Sequence, residues 1–237
     1  GSLIGLLWSF LTPVFMLAVY TFVFSVVFNA RWSTANESKM EFALVLFAGL
    51  IVFNLFSECV NRAPSLILSN VNYVKKVVFP LEILPIVAFG SAFFHMLASL
   101  FVWLICYAIF FGMPSASALL LPLILLPLAL IVVGLSSILA SLGVYLRDVS
   151  QLVGTLTTAL MFLSPIFYPA SALPLEYQKV LVINPLFPII EQVRGVLMKG
   201  EMPDLYFLGS YILFSAFFAW IGFALFQKTR KGFADVL

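Results

Sequence analysis

Charge is what this chain has least of. Only 9% of its 237 residues are Asp, Glu, Lys or Arg, against about 25% in soluble domains. A mean hydropathy of +1.16 leaves little room for a water-soluble fold. With a single histidine, His95, there is almost no material for a metal cluster or a histidine-dependent triad. The two cysteines, Cys59 and Cys106, lie in apolar surroundings and read as packing thiols. No paired carboxylates stand at helical spacing inside an apolar run, which argues against a proton relay or a sodium-coupled carrier. A net charge of +2 is too small to suggest nucleic-acid binding. The nearest approach to a phosphate-binding loop, Gly222 to Thr229, has Gln227 where a second glycine is required, and it ends an apolar helix instead of following a strand. If an active process runs here, another chain binds the nucleotide.

What the chain does have is long apolar runs. About 20 such residues cross a hydrocarbon core, and the runs predict an all-α integral membrane domain. Its six transmembrane helices fall at about 2–28, 42–64, 86–111, 118–146, 149–167 and 205–227. Length alone would allow one or two soluble domains, but the runs leave one membrane domain over 1–237. Charges interrupt the runs at few places. Glu58 precedes Arg62 by four residues, the favourable order for a helical pair, and the two are expected at the membrane boundary or facing protein. A pair that satisfies itself is the commoner outcome there than a transport role. His95 reads more readily as a packed, hydrogen-bonded side chain than as a ligand or proton carrier. Arg147 and Asp148 mark a short polar turn before the fifth span.

Two segments break the pattern. From Ser69 to Pro85 the chain reads SNVNYVKKVVFPLEILP. Val71, Val74 and Val78 fall on one helical face and Asn72, Lys75 and Lys76 on another, the pattern of a helix lying flat at an interface. Pro80 and Pro85 stop it. The segment is either an ordinary loop between spans or an element that a second protein pushes on. From Ser164 to Asp204 stand six of the chain's thirteen prolines and no unbroken apolar run. Within it, Phe187, Ile190, Val193 and Leu197 share one face, with Glu191 and Arg194 opposite. Short helices that dip into the membrane or lie on it are expected, capping a pathway.

Orientation follows from the basic residues. With both ends on one side, that side holds Arg62, Lys75, Lys76, Arg147, Lys228, Arg230 and Lys231. The other holds Arg31, Lys39, Lys179, Arg194 and Lys199, and the acidic residues favour that second side. Positive-inside logic therefore places the lysine segment and both termini in the cytoplasm, and the proline-rich segment outside.

The opening GSLIGLLWSFLTPVFMLAVYTFVFSVVF, the loop SNVNYVKKVVFPLEILP, the turn YLRDV, and the run SPIFYP followed by NPLFPIIEQVRG resemble the permease subunits of the type-2 ABC transporter superfamily. Within it the likeness is to exporters of polysaccharides and polyol phosphates, which serve O-antigen, capsule and teichoic acid. The likeness runs over essentially the whole chain. It implies a homodimer of six-span subunits in a bacterial cytoplasmic (inner) membrane, with one ABC ATPase subunit docked beneath each. ATP and Mg would be bound by that partner, no cofactor by this chain, and the cargo would be a lipid-linked glycan. The interface helix between spans two and three would be the cytoplasmic gate or coupling segment, with Asn72, Tyr73, Lys75, Lys76, Phe79 and Pro80. Short helices between spans five and six would be the external gate, with Pro165, Asn184, Pro185, Glu191 and Arg194. Spans one and five would line the path, for which Trp8, Phe15, Tyr20, Phe162, Phe167 and Tyr168 are the aromatic candidates. The family begins with a basic amphipathic interface helix. Nothing before Gly1 corresponds to it, so this N-terminal helix is expected to be missing.

Three other readings stay open. A type-2 exporter of a small lipid or drug would share the same architecture. A membrane-embedded lipid-linked sugar transferase would need acids or basic residues clustered at one membrane face to hold a diphosphate, and the charges here are scattered. An ATP-independent channel or carrier would keep working after ATP depletion.

Overall fold

The computed structural model describes residues 3–23, 39–75, 79–181 and 183–237. The described residues are mostly helical, with no strand among them. In chain order the helices are α1 (Leu3–Tyr20), α2 (Lys39–Arg62), α3 (Val71–Lys75), α4 (Ile83–Phe111), α5 (Leu121–Tyr145), α6 (Val149–Leu163), α7 (Leu175–Leu181), α8 (Phe187–Arg194), α9 (Leu205–Thr229) and α10 (Phe233–Val236).

Four helical stretches are long and apolar enough to cross a membrane: Lys39–Ser65, Ile83–Phe111, Ala116–Tyr145 and Leu205–Val236. They coincide with the second, third, fourth and sixth expected spans. Two shorter apolar helices, Leu7–Val23 and Val149–Leu163, occupy the first and fifth. The expected first span runs on to residue 28, and its last five residues lie outside the described ones.

The helix at the fifth expected span, α6, ends at Leu163, four residues before the expected Phe167. Pro165 is the cause, because a proline disfavours the α conformation in the residue before it and has no N–H to continue the ladder. The fifteen residues of α6 reach about 22 Å, short of a hydrocarbon core of about 30 Å. Pro13 and Pro127, by contrast, sit inside α1 and α5 without ending them, as membrane helices tolerate.

The chain groups into two compact units. One comprises Gly1–Asn54, Phe94–Leu121 and Phe162–Pro203. Its core is α2, in which every residue from Phe42 to Phe53 is buried. A helix apolar on all sides belongs inside a structure. From α4, the fully buried Trp103 donates its indole N–H to the Leu44 carbonyl at 2.9 Å and stacks on Tyr107. A buried indole needs such a partner.

The other unit comprises Leu55–Phe93, Pro122–Met161 and Asp204–Leu237. Here α5 and α9 touch through bare backbone. A Cβ on Gly134 would stand 2.8 Å from the Ala219 Cα, and one on Gly222 would overlap the Gly134 carbonyl. Gly143, further along α5, lies equally close to the backbone of Pro64 in the short turn after α2. Small residues let membrane helices approach in this way, and close packing supplies association where lipid gives no hydrophobic drive.

Candidate functional site

The expected external gate segment is built around a buried cation. Ile190 and Val193 on α8 and Leu197 in the turn beyond it are buried as their spacing predicts, and Phe187 is half-buried. Arg194, expected on the opposite, polar face, is buried with them at 3% exposure. This corrects the sequence reading, and the surrounding carbonyls give the reason. Its Nη1 donates to the Pro165 carbonyl at 2.6 Å, its Nη2 to the Ile166 carbonyl at 3.0 Å, and its Nε to the Val45 carbonyl on α2 at 3.1 Å. Nη1 also meets the Glu191 carboxylate at 3.1 Å. Glu191 itself remains partly open, its side chain 41% exposed.

Pro165 and Ile166 follow α6 in irregular backbone, where no helical N–H reaches their carbonyls. The planar guanidinium fork supplies the missing donors from three separate nitrogens, a spread that the single nitrogen of an ammonium does not have. Burial pushes the Arg194 pKa down to about 10, against the opposing pull of Glu191, so the group stays charged at neutral pH. Gly49 makes room for it: a Cβ there would stand 2.7 Å from the Arg194 Nη2.

Asn184 closes the same corner. Its amide donates to the Ser164 hydroxyl at 2.8 Å, and its carbonyl oxygen accepts from the Leu186 N–H at 2.9 Å, an Asx turn that launches α8. Pro185, in that turn, is half-buried. Beyond Arg194 the chain widens into a π turn, Gly195–Lys199, which ends at Gly200 with φ of 68°. The Ser117 hydroxyl holds that turn by donating to the Val196 carbonyl at 3.0 Å.

The proposed path-lining aromatics fall into two groups. Trp8 and Phe15 are exposed on α1, seven residues apart and so on one face, with Tyr20 half-buried further on. Phe162, Phe167 and Tyr168 come together at the end of α6. The two phenyl rings lie 5.8 Å apart, and the Tyr168 hydroxyl donates to the Phe162 carbonyl at 3.2 Å.

In the second unit the expected coupling segment contains α3. Asn72 and Tyr73 are exposed, Val74 is half-buried, and the Tyr73 ring stacks on Phe79 at 4.7 Å. Pro80 is exposed and its carbonyl accepts from the Ile83 N–H at 3.1 Å, opening α4. Lys75 ends α3, and Lys76 and Val78 lie outside the described residues. The Glu58–Arg62 pair forms at 3.6 Å. Arg147 and Asp148 are exposed in the turn between α5 and α6. His95 is exposed on α4.

Sequence reasoning missed the ion pair between Arg230 and Glu82. Arg230 meets Glu82 at 2.7 Å, and Gln227 donates to the same carboxylate at 2.8 Å. Their separation of about 148 positions hid the pairing. The one available signal was an acid standing alone just before a 29-residue apolar helix. Burial alone would raise the Glu82 pKa, but its own backbone N–H, Gln227 and Arg230 together hold it below the ordinary carboxylate value. A lowered carboxylate pKa contributes stability that is present above the ordinary glutamate range and lost as pH falls through the folded value. The gap in melting temperature between the native chain and Glu82→Gln is therefore expected to narrow on acidification below that range. A gap independent of pH would remove the ion pair from the stability of this unit.

Four helices long and apolar enough to cross a membrane, with irregular backbone satisfied internally beside a buried arginine, define a multi-pass membrane protein. The ABC-2 type transporter family matches residues 1–198, and the chain belongs to that family. Among its relatives, the O-antigen export system permease protein RfbA of Myxococcus xanthus is 27% identical over 99% of this chain and 88% of its own length. The protein of the same name from Klebsiella pneumoniae is 26% identical over 100% and 89%. The polysialic acid transport protein KpsM of Escherichia coli is 25% identical over 96% and 86%.

Proposed function

We propose that this chain is the transmembrane permease subunit of an ATP-driven exporter that moves a lipid-linked polysaccharide across the bacterial cytoplasmic membrane. One observation carries the reading. Relatives named for two different polysaccharides, O-antigen and polysialic acid, align with the chain nearly end to end. The features they share are thus those of the transport body, not of one cargo.

In this reading two copies form the pathway at their interface, and an ABC ATPase subunit docks beneath each. Asn72, Tyr73, Lys75, Lys76, Phe79 and Pro80 face the ATPase. Trp8, Phe15, Tyr20, Phe162, Phe167 and Tyr168 offer rings on which sugar C–H faces stack. Pro165, Asn184, Pro185, Glu191 and Arg194 form the external gate, with Arg194 as its anchor. Energy enters through the partner, and this chain supplies the path and its movement.

The test is purification of the tagged chain from its native membrane in gentle detergent, paired with deletion of its gene. A stoichiometric subunit with Walker motifs is expected to accompany it, and deletion is expected to leave the cell's glycan inside the cytoplasmic membrane. If no ATPase follows the chain and surface glycan is unchanged, the proposal fails.

A further inference from the structure

We infer that the segment Arg230–Leu237 is a brace that positions α3 and Phe79, and that Arg230 and Phe233 are its positioning residues. The consequence for transport rests on the proposed role of α3 as the surface that meets the ATPase.

The argument begins with length. α3 has five residues and α10 four, and helices so short are not stable alone in water. Their placement comes from what they pack on, and both pack on the same cluster. Phe233 is completely buried in it, among Ala63, Leu66, Ile67, Leu81, Leu84 and Phe226. Val74 and Phe79 pack against that cluster from one side of the sequence, and Leu237 from the other.

Two polar contacts and one ring contact then fix the segment. A single Arg230 nitrogen, Nη1, reaches both Glu82 oxygens at 2.7 Å. Tyr145 donates its hydroxyl to the Thr229 carbonyl at 2.9 Å, and that hydroxyl stands so close to Gly232 that a Cβ there would meet it at 2.7 Å. Phe233 sits edge-on to Phe226, with ring centroids 5.6 Å apart. Glu82 lies three residues after Phe79, so the ion pair holds the base of the segment while Phe233 supports its apolar side. An α3 held in this way passes a push on Tyr73 into α4 and α9. Without the hold, the push would only move the loop.

The experiment is hydrogen exchange of the full chain in lipid nanodiscs, followed by surface-glycan export per ATP hydrolysed with the ATPase subunit present. Arg230→Gln is expected to speed exchange across Val71–Lys75 about tenfold, the effect of losing one charge-assisted bond, and Phe233→Ala by about a hundredfold or more, the effect of losing one buried ring. Amides of residues 42–53 in α2, which lie outside this cluster, are expected to keep their native rates, and export per ATP is expected to fall. Arg230→Lys is expected to behave as the native chain, since one nitrogen suffices for both oxygens. Native exchange in α3 for both variants, equal loosening of residues 42–53, or loosened α3 with undiminished export per ATP would each overturn the inference. A native chain that exports no glycan would defeat the proposed function instead, and the exchange comparison would still decide whether the brace exists.

Discussion

Replacing Arg194 by leucine is expected to cost about 3–5 kcal/mol, the range for removing one partner from a buried charged network. That is a large part of the 5–15 kcal/mol or so that holds a typical domain together. The Pro165 and Ile166 carbonyls would be left at depth with no donor, and Glu191 would lose its cation. Arg194→Lys is expected to fall in between, because one ammonium cannot reach carbonyls on α2 and past α6 together. Thermal unfolding in detergent checks the order. Gly49→Ala supplies a second reading of the same contact. Its methyl collides with the Arg194 Nη2, so it should cost less in the Arg194→Lys background than in the native chain. Equal costs in the two backgrounds would show that the guanidinium does not hold the position the structure gives it.

Gly143→Ala is expected to destabilise by about 1–3 kcal/mol or somewhat more, through overpacking. Its methyl would overlap the Pro64 carbonyl and stand 2.7 Å from the Pro64 Cα. That obstacle is backbone and cannot rotate aside as a side chain would. Gly90→Ala in α4 and Gly154→Ala in α6 are the matched controls, since a Cβ at either meets nothing within 4 Å. These two are expected to be neutral or to stabilise by up to about 1 kcal/mol from helix propensity. The sign of the effect thus separates a helix contact from an open helix surface, and melting temperatures of the three variants measure it. A neutral Gly143→Ala would mean that α5 does not approach the turn at Pro64 so closely.

The long helices were legible because hydrophobic length is a local property, and α2, α4, α5 and α9 stand where the apolar runs do. Their roles were not legible. Lipid and protein interior ask for the same side chains, so nothing in the α2 run distinguished a helix buried all round from one that faces lipid. The end of α6 was readable in principle from Pro165, whose effect on Ser164 is local. Arg194 was placed on the wrong face because helical periodicity counts any charge as facing outward. Only the carbonyls of Val45, Pro165 and Ile166, set by the folding of distant segments, make its burial favourable. The Glu82–Arg230 pair was hidden for the same reason.

The shortness of α6 reaches beyond the protein into the lipid. A chain whose apolar helices range from about 22 Å for α6 to about 44 Å for α4 cannot match a bilayer of uniform thickness. Lipid beside the shorter helix thins and lipid beside the longer one thickens or forces tilt, at fractions of a kcal/mol for each Å. An α6 that crosses the bilayer would therefore draw the lipid thinner where it ends and the arginine-held backbone begins.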